Sequence, residues 1–136
     1  MNHLHQIIFS IALLCALNVE AQLAVTIAPS TISEQKAVVP LILKNNFAGK
    51  IESARAICFL LDERGDMVGQ SSKWVIGGKK DRPALEPKKG TTFNFVFTSQ
   101  RFVSTNLTAK VSFSRVVLDG GKLADPSRDV QIQNGK

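Results

Sequence analysis

The chain has 136 residues, with 17 Lys and Arg against 11 Asp and Glu, and its formal net charge is +6 at pH 7. This length fits one domain of ordinary size, and no second domain or long linker is visible in the sequence. A basic balance is compatible with anionic partners, although such a charge is also a common means of staying in solution.

The first residues predict a secretory signal peptide over 1–21. A short polar start precedes an apolar run from Ile7 to Val19, and Val19 and Ala21 form a V-x-A cleavage site before Gln22. We therefore expect cleavage after Ala21 and a secreted or periplasmic protein.

Two alternatives to a cleaved signal remain open. An uncleaved anchor is one, but the run of 13 residues is shorter than the roughly 20 that a membrane-spanning helix needs. A lipoprotein attached through Cys15 is the other, although Leu14 is larger than the residue that precedes a lipid-modified cysteine.

Cleavage would remove most of the side chains on which enzyme sites are built. His3, His5 and Cys15 leave with the signal, and the remaining domain has Cys58 as its single thiol. Without histidine there is no Ser-His-Asp or Cys-His pair and no histidine metal site, and one thiol forms neither an internal disulfide nor a thiolate cage. The ten remaining carboxylates fall mostly in predicted turns or at strand ends. We expect no enzyme activity, no cofactor and no metal.

The rest of the chain, 22–136, shows short runs of alternating apolar and polar residues separated by turn residues. This pattern is typical of an antiparallel sheet with one buried face. It predicts a first strand over 23–28 and a second over 37–45. On the second strand Pro40 indicates an edge strand or a bulge, and it lies opposite a face shared by Ala37, Val39, Leu41 and Leu43.

Residues 51–78 predict two strands joined by a tight turn, in which Gly65 adopts the left-handed conformation that closes a hairpin. A helix over 54–61 is the alternative, because Ser53 could cap it and most residues of this segment favour helix.

The clearest alternation lies in residues 90–98, where Phe93, Phe95 and Phe97 point to one side. The next strand, 107–121, changes phase in its second half, which predicts a bulge near Ser114–Arg115. Residues 128–133 predict a short last strand.

Seven strands at short intervals predict an immunoglobulin-like antiparallel β-sandwich over 22–136. The Cys…Trp…Cys spacing of antibody domains is absent, so the prediction concerns the architecture alone.

Two segments are similar to the bacterial FxLYD-type and related immunoglobulin-like domains: VPLILKNNFAGKIESARAICFLLDERGDMVG and LEPKKGTTFNFVF. They share an Asn-rich turn, an Asp-x-x-Gly hairpin and a Leu-x-Pro turn before an aromatic strand. The matching positions are Asn45, Asn46, Leu61, Asp62, Gly65, Leu85, Pro87 and Phe93. Leu61 stands where the family has an aromatic residue, and two lysines separate Pro87 from Gly90. The resemblance implies a strand for 51–62 and an extracytoplasmic module, but no particular activity.

Two single residues could carry chemistry. Cys58 is either a reactive thiol or a small buried apolar side chain, and no cation neighbours it in the sequence. Trp74 is either a stacking platform for a sugar or a base, or part of the sheet packing beside Val75 and Ile76.

A basic segment is the main candidate for a binding site. It joins two predicted strands and is rich in Gly and Pro, so it is a loop between residues 77 and 90. Its cations could bind nucleic acid, lipid head groups or acidic envelope polymers, or they could be solvated charges that protect strand edges from aggregation. These cations are Lys73, Lys79, Lys80, Arg82, Lys88 and Lys89.

These observations predict an exported, non-catalytic binding or structural module of the cell envelope, whose partner is a protein or envelope material. The alternative is a cationic domain that binds anionic polymers through the loop of residues 73–89.

Overall fold

The computed structural model describes residues 22–99 and 106–135 of the chain. The predicted signal peptide, 1–21, lies outside the described residues. Within them the chain forms two sheets around a common core, so the predicted all-β sandwich is confirmed.

Eight strands make up the two sheets. They are β1 (Leu23–Ile27), β2 (Thr31–Ser33), β3 (Lys36–Asn45), β4 (Ile51–Leu61), β5 (Met67–Ile76), β6 (Gly90–Thr98), β7 (Thr108–Leu118) and β8 (Val130–Asn134). A 3₁₀ turn spans Asp119–Gly121 and a one-turn helix, α1, spans Pro126–Asp129. Neither of these helical segments, the two that the described residues contain, has the length and apolar character needed to cross a membrane.

The larger sheet has five strands, with β3 at its centre. On one side β3 pairs with β6 along most of its length, and on the other side it pairs first with β2 and then with β1. β8 extends the sheet beyond β1 and runs parallel to it. The first and last strands are therefore neighbours, and this one pair departs from the antiparallel arrangement that the sequence predicts.

Pro40 lies in this central strand, so the prediction of an edge or a bulge is wrong. The ladder with β6 passes through Pro40 without a register shift. On the opposite side Pro40 falls where β2 has given way to β1, and its carbonyl accepts a hydrogen bond of 2.9 Å from Ala28. The N–H and C=O of one strand residue point to the same neighbouring strand. The N–H that Pro40 lacks would therefore point to the junction of β2 and β1, so its absence removes no hydrogen bond between β3 and β6.

The smaller sheet has three strands, in the order β5-β4-β7. Residues 51–61 are strand and the helical alternative is wrong. Asp62 and Asp66 close the β4–β5 hairpin with a backbone hydrogen bond of 2.8 Å, and Gly65 has a φ of 86°. The register of β7 against β4 shifts between Phe113 and Arg115, which confirms the predicted bulge.

The core lies between the two sheets and is filled by alternate residues of the strands. On β4 the inward residues are fully buried from Ala54 to Leu60, and on β6 Phe95 and Phe97 are buried while Val96 between them is half exposed. The Phe93 and Phe95 rings meet edge to face at a centroid distance of 5.1 Å. The predicted inward face of the phenylalanines is therefore confirmed, with Phe93 partly buried at its end.

The strand that the sequence does not predict is β2. Its one apolar residue, Ile32, is only partly buried against the core, and a run of three residues is too short to establish the alternation on which a strand prediction depends. Its hairpin with β3 is closed by Glu34 and Gln35, which both have positive φ, at 51° and 66°.

Candidate binding surfaces

The basic loop, residues 77–89, is fixed to the sandwich. The backbone of Leu85 exchanges two hydrogen bonds of 2.9 Å with that of Ile51, and the Leu85 side chain is buried in the core. Near the start of the loop, Gly77 N–H donates to the Pro83 carbonyl over 3.2 Å, and a Cβ on Gly77 would overlap the Glu52 carbonyl oxygen. The loop is therefore a defined surface, as well as the connection that the sequence predicts.

Asn45 fixes the second half of the loop. Its side chain is fully buried, and its Nδ2 donates to the Leu85 carbonyl at 2.9 Å and to the Gly49 carbonyl at 3.0 Å. Its Oδ1 accepts from Phe47 N–H at 2.8 Å. The backbone of Asn45 also bonds Lys88 and Lys89, at 2.7 and 3.0 Å. One amide side chain thus holds the turn after β3 and the loop before β6 together.

The five candidate lysines are all exposed. Lys73 lies on β5 rather than in the loop. Among residues 22–99 and 106–135 the one ion pair joins Arg128 and Asp129, so none of these lysines is paired with an acid of the described chain. Asp81 and Glu86, the acids of the loop, are exposed and likewise make no ion pair there. The loop therefore presents unneutralised positive charge: Lys79, Lys80, Lys88 and Lys89.

Arg82 differs from the lysines because it is half-buried and held in place. Its guanidinium carbon lies 4.8 Å from the centroid of the Phe93 ring, within the range of a cation–π contact. Its Nε is enclosed and has no hydrogen-bond acceptor among the described residues. Beside it lies a cavity of about 240 Å³, whose lining is formed by Val75, Ile76, Arg82, Pro83, Ala84, Leu85, Gly90 and Thr91.

Trp74 is half-buried on β5 and packs within the protein. It pairs across the sheet with Arg55, whose guanidinium carbon lies 5.4 Å from the ring centroid. The backbone of Gly78 lies so close to the ring that a Cβ there would overlap it. Both contacts favour sheet packing, the second of the two interpretations of this tryptophan.

An apolar stripe lies on the side of the smaller sheet that faces away from the core. Ile57, Phe59 and Leu61 on β4 are half-buried, and none of them packs against the core cluster. Leu61 pairs with Met67, which is 54% exposed, and Trp74 continues the stripe past Arg55. We call this surface the outer face: Arg55, Ile57, Phe59, Leu61, Met67, Trp74, Lys110 and Arg115.

The outer face carries positive charge beside the apolar stripe. Lys110 on β7 pairs with Phe59, and Arg115 pairs with Arg55. The outward positions of this part of the sheet carry three cations, Arg55, Lys110 and Arg115, and no acid. The nearest acids on β4 and its hairpin, Glu52 and Asp62, lie beyond the two ends of the outer face. This surface has no clear signal in the sequence, because the run AICFLL is apolar on both sides and does not reveal which side faces outward.

Cys58 is a core residue. Its side chain is fully buried, and burial raises the pKa of its thiol from the ordinary value of 9.0 to about 11. Because the thiolate is the reactive form, this cysteine is inert at neutral pH. The described residues also contain no cluster of three or more His, Cys, Asp or Glu side chains that could hold a metal ion.

Comparisons with known proteins give no family. No family model matches the chain, and no curated protein matches it. One similar solved structure is the structural-genomics target SoR45, with 8% identity, 77% of each chain covered and a TM-score of 0.49. Another is a target described as an ApaA protein from Bordetella pertussis, with 13% identity, 75% of this chain and 80% of that chain covered, and a TM-score of 0.48. These likenesses concern the fold and carry no argument about function, and the resemblance to FxLYD-type domains stays a prediction.

Proposed function

We propose that the protein is an exported, non-catalytic binding module of the cell envelope, and that it docks its partner through the outer face. The observation that carries this proposal is the apolar stripe of Ile57, Phe59 and Leu61, which lies outside the core and is bordered by cations. The outward side of a solvated antiparallel sheet is ordinarily polar. A contiguous apolar surface with a polar border is typical of an interaction site.

The charge of the outer face favours an acidic partner over a second copy of the chain. In a symmetric dimer each copy would present the same face, so the cations Arg55, Lys110 and Arg115 of both copies would be brought into one interface. Like charges brought together in an interface cost several kcal/mol, on the order of what a good contact contributes. A partner with an apolar centre and an acidic rim meets no such repulsion.

A site-specific photo-crosslinker tests the docking surface. It replaces Phe59 on the outer face or, as a matched control, Val96, which is 50% exposed on the outward side of the other sheet. In intact cells we expect the Phe59 position to crosslink to one envelope component and the Val96 position not to. The charge reversals Lys110→Glu and Arg115→Glu should abolish that crosslink, whereas Lys36→Glu and Lys122→Glu should leave it. Equal crosslinking from both sheets, or crosslinking that survives the reversal on the outer face, would contradict the proposal.

Export is tested separately from docking. We expect the periplasmic or secreted fraction to contain a protein whose first residue is Gln22, as Edman degradation or mass spectrometry would show. A chain recovered intact from the cytosol would overturn the export proposal and leave the outer face to be judged on its own crosslinks.

A second candidate function is the binding of anionic polymers through the basic loop. It is favoured by the four exposed loop lysines, which have no ion-pair partner among the described residues. Such binding depends on salt, because each phosphate or sulfate contact releases counterions. We expect retention on a heparin column at ~150 mM salt. At this salt concentration charges further apart than about 8 Å are largely screened, so retention reports mainly close contacts rather than the net charge of the protein.

A matched pair of variants separates this candidate from the effect of net charge. One variant changes Lys79, Lys80, Lys88 and Lys89 to Ala, and the other changes four exposed cations outside both the loop and the outer face to Ala, namely Lys36, Arg64, Lys122 and Arg128. Both lose the same charge. Loss of retention in the first variant alone supports the loop, whereas equal loss in both assigns the retention to overall charge and rejects the loop.

A further inference from the structure

We propose that Arg82 and the cavity beside it form a binding site for a small carboxylate that carries an apolar group. The site lies where β5 ends and β6 begins, and none of its lining residues belongs to the outer face. It involves neither the docking stripe nor the loop lysines, so it holds whether or not the functions proposed above are correct.

The guanidinium of Arg82 is positioned before any ligand arrives. Its guanidinium carbon lies over the Phe93 ring, and that ring packs in turn against Phe95 in the core. The backbone of Arg82 is fixed as well, since its N–H donates to the Lys79 carbonyl at 3.1 Å. A flexible loop lysine loses side-chain conformational entropy when it binds an anion. Arg82 has already lost most of this entropy in the folded protein, so binding to it costs less.

The hydrogen-bonding capacity of Arg82 is unused by the described protein. Its Nε is enclosed and has no acceptor among the described residues. Its terminal nitrogens also make no hydrogen bond with them, but these nitrogens are accessible to solvent. Neither Asp81 nor Glu86 pairs with it. A guanidinium presents its N–H groups as a planar fork that matches the two oxygens of a carboxylate. An oxyanion at the terminal nitrogens would use this fork.

The walls of the cavity define the rest of the ligand. Apart from Arg82 and Thr91, the lining consists of apolar side chains and the backbone of Gly90. Such walls favour a ligand with a hydrocarbon or aromatic body and disfavour sulfate or phosphate, which would lose strong hydration without replacement. At about 240 Å³ the cavity is smaller than the pockets that hold drug-sized molecules. One carboxylate on a short aliphatic chain or a single ring fits this description.

An NMR titration of the protein expressed from the full chain tests the site directly. The probes are sodium benzoate, butyrate, acetate and sulfate, with the ionic strength held at ~150 mM so that general screening is constant. The reporters are the Nε–H resonances of Arg82 and, as a matched control, of Arg55, which also lies over an aromatic ring but lines no described cavity. We expect benzoate and butyrate to shift Arg82 saturably, acetate to act more weakly, and Arg55 to remain unchanged.

Two variants assign the response to the guanidinium. Arg82→Met keeps an apolar stem over Phe93 and removes the charge, and we expect binding to weaken about tenfold or more, as the loss of a charge-assisted hydrogen bond implies. The amides of Gly90 and Thr91 then report the loss. Arg55→Met should not change the affinity. The variant with four loop lysines changed to Ala should stay within about threefold of the unmodified protein, because screened distant charges contribute little.

Three results would overturn the proposal. The first is an Arg82 resonance that shifts no more than that of Arg55. The second is a response to sulfate as strong as that to benzoate, since this would remove the role of the apolar walls. The third is unchanged benzoate binding in Arg82→Met. Because the titration of the unmodified protein needs no substitution, a poorly folded variant does not prevent a decision.

Discussion

Asn45 and Leu85 are 40 residues apart and are joined by a buried hydrogen bond of 2.9 Å from Nδ2 to the carbonyl oxygen. This bond connects the end of the central strand to the basic loop. The same amide bonds Gly49 and Phe47, so three backbone groups depend on a side chain that both donates and accepts.

We therefore expect Asn45→Asp to destabilise the protein by about 3 to 5 kcal/mol, because a buried carboxylate would keep the hydrogen bond from Phe47 N–H but could not donate to the two carbonyls, and its charge would have no cationic partner. Urea unfolding measures the loss. Asn46→Asp introduces the same charge one residue later, at a half-buried position, and should change stability much less. Equal losses in the two variants would show that the Asn45 amide has no special role.

Phe95 is the most enclosed of the three phenylalanines on β6. Phe95→Ala should cost roughly 3 to 5 kcal/mol, because it removes a large apolar side chain and leaves a cavity in the core. Val96→Ala on the opposite face should stay within about 0.5 kcal/mol. Thermal unfolding distinguishes the two, and an unchanged melting temperature in Phe95→Ala would contradict the inward position of this ring.

Burial of Cys58 makes stability depend on pH in the alkaline range. In the unfolded chain the thiol ionises near its ordinary pKa of 9.0, whereas in the folded protein the pKa is about 11. Between these values the unfolded state binds fewer protons, so stability falls as pH rises, by about 2 to 3 kcal/mol in total. Below pH 9 this contribution is fully present.

The measurement compares the unmodified protein with Cys58→Ala at several pH values from 8 to ~11, the range in which these pKa values place the effect. Lysines titrate in both proteins, so the difference between the two slopes isolates the thiol. Parallel curves would mean that Cys58 ionises freely in the folded state.

The β2–β3 hairpin carries a local cost that substitution can remove. Glu34 and Gln35 both adopt positive φ, which costs a residue other than glycine roughly 1 to 2 kcal/mol. We expect Gln35→Gly to stabilise the protein by about 1 kcal/mol, since glycine is favoured at such turn positions. Gly65→Ala tests the opposite change. A Cβ at Gly65 would meet no other atom, but its φ of 86° is unfavourable for alanine. Chemical unfolding should therefore show that the variant is less stable by a similar amount.

The sequence predicts the strands whose two sides differ. Phe93, Phe95 and Phe97 alternate with residues that are polar apart from Val96, and the phase change near Ser114 reveals the bulge without any tertiary information. β4 is harder, because Ile57 and Phe59 on one side are as apolar as Cys58 and Leu60 on the other. Only the position of the second sheet determines which set is buried, so the outer face is not predictable from periodicity.

Residues that act over long sequence distances are missed for a different reason. Asn45 reads as a turn residue, and its buried role depends on Leu85, whose position follows from the whole sandwich. Arg82 reads as one of six cations, and the Phe93 ring distinguishes it from the lysines only after the loop is in place. Composition thus identifies the basic segment, while tertiary contacts decide which of its residues is held in a fixed position.

The pairing of β1 with β8 has a consequence for the time at which the protein can fold. The larger sheet stays incomplete until Val130–Asn134 has been synthesised, because β1 has this strand as its second neighbour. Contacts between the two ends of a chain form slowly, since a long loop must close first. The proposed export would be compatible with this order, because a chain whose larger sheet closes last would still be unfolded while it crossed a secretion channel.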